Sequence, residues 1–251
     1  TVTINTIVAQ TLQNVASCDS YVLQSLNANN SYYTGAGGTG TQLNAGDVIT
    51  STQTIYVYAQ SGTTPNCTDE TSFTVTITQS PIVQPILSVN ACDSYTLPAL
   101  SVGNYYTGPN GTGSQLNVGS VITSSQTIYV YAQSGTTPNC TDQESFAVTI
   151  TPSPVFEIQG DCIGPVFTLF IAEGASLPEN ADYQWYFGST PLGTNATQEI
   201  TESGSYSCTI TSVNGCPTTE TYNADEVACI VPKGISPNGD GDNDRFDLRG
   251  F

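Results

Sequence analysis

The sequence contains no histidine, no methionine and only three basic residues in 251. Those three, Lys233, Arg245 and Arg249, lie close to the C-terminal end, so no cluster of cations is available to bind nucleic-acid phosphates or an anionic membrane surface. Without histidine, the Ser-His-Asp and Cys-His mechanisms cannot be built. No run of about 20 apolar residues is present, so no membrane-spanning helix is expected. We therefore predict that the chain is not an enzyme and binds no nucleic acid.

The eight cysteines are an even number, and they recur at similar spacings. Recurring pairs indicate disulfides and an oxidising compartment outside the cytoplasm. The alternatives are reduced cytosolic thiols, or a redox or metal role, but no CxxC pair or histidine supports them. A domain of about 70 residues has a small core, so disulfides are also needed for its stability.

An internal repeat organises the chain. Residues 53–69, QTIYVYAQSGTTPNCTD, return letter for letter as residues 126–142, and CDSY at 18–21 returns at 92–95. The offset is 140 − 67 = 73 at one cysteine and 92 − 18 = 74 at the other. Each repeat therefore carries one cysteine near its start and one near its end. The total length predicts three such modules.

Strict alternation of apolar and polar residues runs through both copies. In residues 54–59, the apolar Ile55, Val57 and Ala59 alternate with Thr54, Tyr56 and Tyr58, which is typical of a half-buried strand. No stretch has a sustained helical period, and glycine-rich turns separate the short strands. The sequence thus predicts an all-β fold of tandem immunoglobulin-like β-sandwich modules. Short connections containing Pro81, Pro85, Pro152 and Pro154 favour a linear rod.

The predicted boundaries follow from the repeat. The TVTI of residues 1–4 matches the strand that closes repeat one, so we expect it to be the last strand of a preceding repeat. Repeat one spans 5–78, repeat two spans 79–151, an immunoglobulin-like module spans 152–231, and a different segment begins at 232.

The third module contains the only tryptophan, Trp185, and the segment ESGSYSC at 202–208. That segment is similar to the tyrosine corner of immunoglobulin-like sandwiches, in which the tyrosine hydroxyl bonds back to the backbone. Tyr206 would be that tyrosine. Cys162 lies too far before Trp185 for the usual strand-B cysteine, and Ile171 is the residue expected at that core position.

Within each repeat we predict one disulfide that joins its two ends, Cys18–Cys67 and Cys92–Cys140. Each bridge would close a loop of about 50 residues and contribute roughly 4 kcal/mol by the chain-entropy model. For the four remaining cysteines three pairings fit. Cys162–Cys229 with Cys208–Cys216 is favoured, because it closes the module at its ends.

Two tyrosine pairs stand beside the glycine-rich turns, Tyr32 with Tyr33 and Tyr105 with Tyr106. Exposed aromatic rings of this kind can stack on sugars, which predicts a ligand-binding role. The alternative is that the tyrosines simply cover the edges of the sandwich.

The C-terminal segment carries an alternating acidic run that predicts a Ca²⁺ site. Its oxygen-bearing side chains occur at every second position, with glycines between them, and a hard cation needs six to eight oxygen ligands. The residues are Asn238, Asp240, Asp242, Asp244 and the later Asp247. The alternative is a solvated acidic turn.

The segment GISPNGDGDND at 234–244, followed by Arg-Phe-Asp-Leu, resembles the opening of the gliding-motility-associated C-terminal domain of Bacteroidota, the type B sorting domain of the type IX secretion system. The run LNAGDVIT, TIYVYA and CTDE in the repeats resembles surface-adhesin repeats and hyalin-type immunoglobulin-like repeats. The resemblance covers about the last 20 residues, and we expect the chain to stop inside that domain.

The resemblance implies a secreted adhesin of the cell surface. It would be exported by the type IX secretion machinery through its C-terminal signal, attached to the outer membrane and associated with gliding motility. A surface glycan or another extracellular ligand would be its partner. The alternative function is a carbohydrate-binding accessory region of a secreted polysaccharide-degrading enzyme.

Overall fold

The computed structural model describes residues 6–177 and 179–229. The N-terminal TVTI segment, the segment from 232 and the five residues of the acidic run lie outside this part of the chain. Among the described residues there is no α-helix, and the only helical element is one 3₁₀ turn, Pro109–Gly111. The chain is therefore all-β, as predicted.

Repeat one folds into two sheets. The larger has the order β1-β7-β6-β3-β4, and β2 pairs with β5 in the smaller. β1 runs parallel to β7, while β6 pairs with its neighbours β7 and β3 in antiparallel register. The strands are β1 Val15–Cys18, β2 Tyr21–Val22, β3 Asn30–Gly35, β4 Thr39–Leu43, β5 Val48–Ile49, β6 Gln53–Gln60 and β7 Thr68–Thr78.

The alternation in β6 places its apolar side chains in the core of repeat one, as predicted. Ile55, Val57 and Ala59 are fully buried, and Phe73 and Val75 of the neighbouring β7 lie beside them. Leu23, which directly follows β2, and Ile49 of β5 complete this core. Each alternate residue of a strand faces the opposite side of the sheet, so the polar residues between them face outward.

Repeat two has the same arrangement. The larger sheet has the order β11-β10-β13-β14-β8, and β12 pairs with β9. The parallel pairing recurs between β8 and β14. The strands are β8 Val89–Cys92, β9 Tyr95–Thr96, β10 Asn104–Tyr106, β11 Gln115–Leu116, β12 Val121–Ile122, β13 Gln126–Gln133 and β14 Thr141–Thr151.

The third module is a sandwich of a three-stranded sheet, β15-β16-β19, and a four-stranded sheet, β18-β17-β20-β21. Its core is built around Trp185 and Leu169, both fully buried. The strands are β15 Ile158–Ile163, β16 Val166–Ile171, β17 Asp182–Phe187, β18 Thr190–Pro191, β19 Thr197–Ile200, β20 Gly204–Thr211 and β21 Pro217–Ala224.

Spatial contacts divide the chain into two compact units. The first consists of Thr1–Ser88, Thr96–Ser120 and Gln126–Ala147. The second consists of Val89–Tyr95, Val121–Ser125 and Val148–Phe251. This division passes through repeat two, and the boundaries and the linear rod drawn from the sequence stay predictions. No helix in the described part of the chain is long and apolar enough to cross a membrane.

Candidate functional site at the bridged module junctions

The predicted disulfides within each repeat are wrong, because the two cysteines lie at opposite ends of one long strand. Cys18 pairs in register with Thr78, the last residue of β7, whereas Cys67 immediately precedes Thr68, the first residue of the same strand. At about 3.3 Å per residue these ends are roughly 33 Å apart. A disulfide needs Cα atoms within about 7 Å of each other. Cys92 and Cys140 are separated in the same way by β14.

Cys18 instead bonds to Cys140 of repeat two, with Cα atoms 5.6 Å apart. Cys92 bonds to Cys216 of the third module, also at 5.6 Å. The first cysteine of a repeat is thus joined to a cysteine of the following module at both places. We call the first of these sites the first junction, which lies in the first unit, and the other the second junction, which lies in the second unit.

At the first junction, Asp19 turns the chain directly after the bridged Cys18. Its backbone has a φ of 60°, and its N–H donates to the carbonyl oxygen of Thr78 at 2.9 Å. Its carboxylate accepts two hydrogen bonds from Ser80, from the backbone N–H and from the hydroxyl, both at 2.7 Å. These bonds lower the pKa of Asp19, and the backbone N–H has the larger effect. The carboxylate therefore fixes the start of the connection to repeat two.

A short loop in repeat two presents the other cysteine of the first junction. The N–H of Cys140 donates to the hydroxyl of Ser134 at 3.0 Å, and the N–H of Ser134 donates to the carbonyl of Cys140 at 2.8 Å. Cys140 is buried, and its Sγ lies 3.4 Å from the carbonyl oxygen of Thr78. The Cys140 side of the bridge is therefore enclosed between the end of β7 and this loop.

The second junction repeats the geometry with different sequence. Asp93 has the same φ of 60°, and its carboxylate accepts from the N–H and hydroxyl of Ser153 at 2.8 and 2.7 Å. Ser212 and Cys216 exchange bonds as Ser134 and Cys140 do, at 2.9 and 3.1 Å. In addition, the Asn214 side chain donates to the hydroxyl of Thr151 at 3.1 Å. The two junctions are therefore two copies of one structural device.

In the third module, the structure has the predicted Cys162–Cys229 bridge and contradicts Cys208–Cys216. Cys208 points into the core opposite Trp185, whereas Cys216 lies opposite Ser212 at the end of the hairpin, about 13 Å farther along the strand. Burial raises the pKa of the Cys208 thiol to about 11, so it remains protonated and unreactive at neutral pH.

The predicted tyrosine corner is present. The hydroxyl of Tyr206 donates to the carbonyl oxygen of Glu202 at 2.7 Å, and the ring stacks on Phe187 with centroids 4.7 Å apart. Burial is the main cause of the raised pKa of Tyr206. Leu169, and not Ile171 as predicted, is the fully buried residue of β16, since Ile171 packs only partly buried against the same core.

Half of the predicted tyrosine ligand site is buried. Tyr32 and Tyr105 are 2% and 1% exposed, because they are the inward residues of β3 and β10. Their hydroxyls donate to the carbonyl oxygens of Gln24 and Pro98, both at 3.1 Å. These two tyrosines are core residues and cannot stack on a sugar, so that prediction is wrong for them.

The partners Tyr33 and Tyr106 lie on the outer face, where each meets another tyrosine edge to face. Tyr33 contacts Tyr58 with centroids 6.1 Å apart, and Tyr106 contacts Tyr131 at 6.2 Å. Glycine-rich turns close over the second ring of each pair. A Cβ atom added at Gly111 would lie 2.8 Å from the Tyr131 ring. The turns therefore cover the rings of Tyr58 and Tyr131, which agrees with the alternative that tyrosines cover the sandwich.

The residues described by the structure contain no group of three or more Cys, Asp or Glu side chains that could hold a metal ion. The predicted Ca²⁺ ligands Asn238, Asp240, Asp242, Asp244 and Asp247 lie outside this part of the chain, and the site stays a prediction.

No family model matches the chain. No curated protein matches it either. Among solved structures it is similar to three immunoglobulin domains of titin, I67–I69, with 14% identity, a TM-score of 0.38 and coverage of 86% of this chain and 94% of that one. It is also similar to the eight N-terminal immunoglobulin domains of Down Syndrome Cell Adhesion Molecule, with 11% identity and a TM-score of 0.35.

The chain covers 36% of that eight-domain structure, and the alignment takes in 86% of the chain. Protocadherin gamma B7 domains 1–4 give 13% identity, a TM-score of 0.30 and coverage of 86% of this chain and 75% of that one. At these TM-scores the similarity supports no inference about function.

The residues that complete the junctions were missed by sequence reasoning. Asp19 and Ser80 recur as Asp93 and Ser153, and this paired recurrence at both module ends was the available signal. The eleven-residue length of β7 was not visible, because the alternation of apolar and polar residues covers only its second half, 72–78.

Proposed function

We propose that the chain is a non-catalytic stalk region of an extracellular adhesin of the cell surface. The observation that carries the proposal is the pair of equivalent bridges, Cys18–Cys140 and Cys92–Cys216, each of which joins one module to the next. A bridge that occurs in equivalent positions at successive junctions stabilises the connection between modules. It does not build a reaction site.

Three disulfides are the chemistry of an oxidising compartment, which supports a location outside the cytoplasm. The formal net charge of −18 keeps such a surface soluble and disfavours binding to anionic polymers. Both features suit a spacer that separates a ligand-binding part from its point of attachment.

The positions of the tyrosines disfavour the alternative function, which is carbohydrate binding. Tyr32 and Tyr105 are buried, and the rings that meet Tyr33 and Tyr106 are covered by glycine turns. The cleft beside Tyr32 has a volume of about 230 Å³, which is smaller than the clefts of about 300–1,000 Å³ that hold small ligands.

Electrophoresis through gels that contain soluble polysaccharides distinguishes the two functions. The stalk function predicts that the full chain migrates as it does in a gel without polysaccharide. Retardation that is lost in Tyr33→Ala with Tyr106→Ala would favour the carbohydrate-binding function. A protein of similar charge without tyrosine pairs serves as the mobility control.

We further propose that the segment 234–244 directs export through the type IX secretion machinery and attachment at the outer membrane, in a protein associated with gliding motility. The support is the sequence GISPNGDGDND alone. In the producing cell, replacing 234–244 by Gly and Ser should abolish labelling of intact cells by an antibody against this chain. The same replacement in the exposed loop 61–66 is the control and should retain it. Surface labelling that survives the first change contradicts the proposal.

A further inference from the structure

The three disulfides form overlapping loops. Cys92 lies inside the loop closed by Cys18–Cys140, and Cys140 lies inside the loop closed by Cys92–Cys216. Cys216 in turn lies between the bridged Cys162 and Cys229. Every peptide bond from Cys18 to Cys229 is therefore enclosed by at least one bridge, and consecutive loops overlap without a gap.

This overlap shortens the covalent path along which tension can be carried. The chain from Cys18 to Cys229 contains 229 − 18 = 211 residue steps. A shorter covalent path crosses the Cys18–Cys140 bridge, follows the chain to Cys162 and crosses the Cys162–Cys229 bridge. This path contains only 162 − 140 = 22 residue steps. At about 3.4 Å per extended residue, these paths reach roughly 720 Å and 75 Å.

We propose that the three disulfides make the region from Cys18 to Cys229 nearly inextensible under tension, so that it transmits force without unfolding along its length. The inference concerns the covalent connections alone, and it holds whether or not the chain belongs to an adhesin. It adds to the stalk function a specific load path, which runs through two bridges, β14, the connection after it and β15.

The environment of the bridge in the first junction suits this role. Cys140 is 1% exposed and is enclosed by the Ser134 loop and the end of β7. Disulfide exchange needs access of a thiolate to a sulfur atom. Burial of Cys140 therefore shields its sulfur atom from attack while the module is folded, whereas Cys18 is half-buried.

Single-molecule stretching of the full chain, held at its ends, tests the proposal. Under non-reducing conditions the greatest contour length should be shorter than that of the fully reduced chain by 211 − 22 = 189 residue steps, or about 640 Å at about 3.4 Å each. An intact chain that extends as far as the reduced chain contradicts the load path.

Removing the bridges one at a time makes the test specific. Cys18→Ser with Cys140→Ser leaves the path through Cys92–Cys216, with 92 − 18 = 74 and 229 − 216 = 13 residue steps, so the contour should lengthen by about 220 Å. Cys92→Ser with Cys216→Ser leaves the shortest path intact and should not lengthen it. Cys208→Ala, which removes a thiol outside the three bridges, is the matched control. Lengthening in the second pair, or none in the first, overturns the proposal.

A measurement without force provides an independent check that does not need any variant to fold. A single proteolytic cut in the exposed loop 61–66 should leave one covalent molecule on a non-reducing gel, and reduction should release two fragments. Release of fragments without reductant would show that no bridge spans the cut, which contradicts the Cys18–Cys140 loop.

Discussion

At the scale of single residues, the tyrosine corner is the clearest case in which a short motif determines a contact. The segment ESGSYSC at 202–208 was sufficient to predict that the Tyr206 hydroxyl bonds back to the backbone, because the motif is local and its geometry is set by one strand corner. The disulfide partners were not predictable in the same way, since they depend on which module follows and where its loops lie.

Tyr206→Phe should destabilise the second unit by about 1–3 kcal/mol, because it leaves the carbonyl of Glu202 without its donor in a partly buried site. Denaturant unfolding followed by fluorescence of Trp185, the only tryptophan, measures the change. Tyr222→Phe is the matched control, since among the described residues its hydroxyl makes no hydrogen bond. Equal stability of the two variants would contradict the contribution of the corner.

Asp19 gives the first junction a dependence on acidic pH. Its pKa is lowered from 3.8 in the folded state by the Ser80 bonds, so its contribution is complete above pH 3.8 and is lost as pH falls through the lowered folded value. An NMR titration of the Asp19 carboxyl carbon should give a pKa below 3.8. In Ser80→Ala the pKa should rise but stay below that of the unfolded chain, because the larger contribution, from the backbone N–H, is retained. An unshifted pKa in wild type would contradict these bonds.

At the scale of elements, the period-two alternation predicted the strands and the core well. Ile55, Val57 and Ala59 point inward as the pattern requires. The same rule, applied to Tyr32 and Tyr33, already places one tyrosine of each pair inside and one outside. The ligand-site prediction failed because the pairs were interpreted as adjacent exposed rings, although neighbouring residues of a strand face opposite sides.

The glycine turn that covers Tyr131 offers a test of this packing. Gly111 and Gly135 both have a φ of 69°, but an added Cβ would meet the Tyr131 ring at 2.8 Å at Gly111 and nothing within 4 Å at Gly135. Both alanine variants carry the left-handed penalty of about 1–2 kcal/mol. Gly111→Ala should cost about 1–3 kcal/mol more, because the ring must shift. Thermal unfolding followed by circular dichroism should show the lower midpoint for Gly111→Ala, and equal midpoints would contradict the packing.

We propose that the acidic run near the C-terminus binds Ca²⁺ through Asn238, Asp240, Asp242, Asp244 and Asp247. Calorimetric titration at millimolar Ca²⁺ should show heat of binding for wild type and none for Asp240→Ala with Asp242→Ala. The alternative, a solvated acidic turn, predicts no binding heat for either protein. Glu199→Gln with Glu220→Gln removes the same charge elsewhere and should bind as wild type does.

At the scale of the whole molecule, the repeat predicted that the two copies have equivalent strands, as their strand order and register show, but not how the copies are connected. The matched offsets of 73 and 74 residues indicate which cysteines are equivalent, and they do not indicate whether equivalent cysteines bond within a module or to the next one. Strand length excludes a bond within a module, because the two cysteines at the ends of β7, and likewise of β14, lie roughly 33 Å apart.

Disulfide mapping of the unreduced protein tests the bridged junctions most directly. A protease that cuts before aspartate separates Cys18, Cys67, Cys92 and Cys140 into four different peptides, because Asp19, Asp47, Asp69, Asp93 and Asp142 lie between and beside them. We predict crosslinked peptides for Cys18 with Cys140 and for Cys92 with the peptide 182–224, in which fragmentation should place the crosslink at Cys216 and not at Cys208. Crosslinks of Cys18 with Cys67, or of Cys92 with Cys140, would contradict the connection of each module to the next.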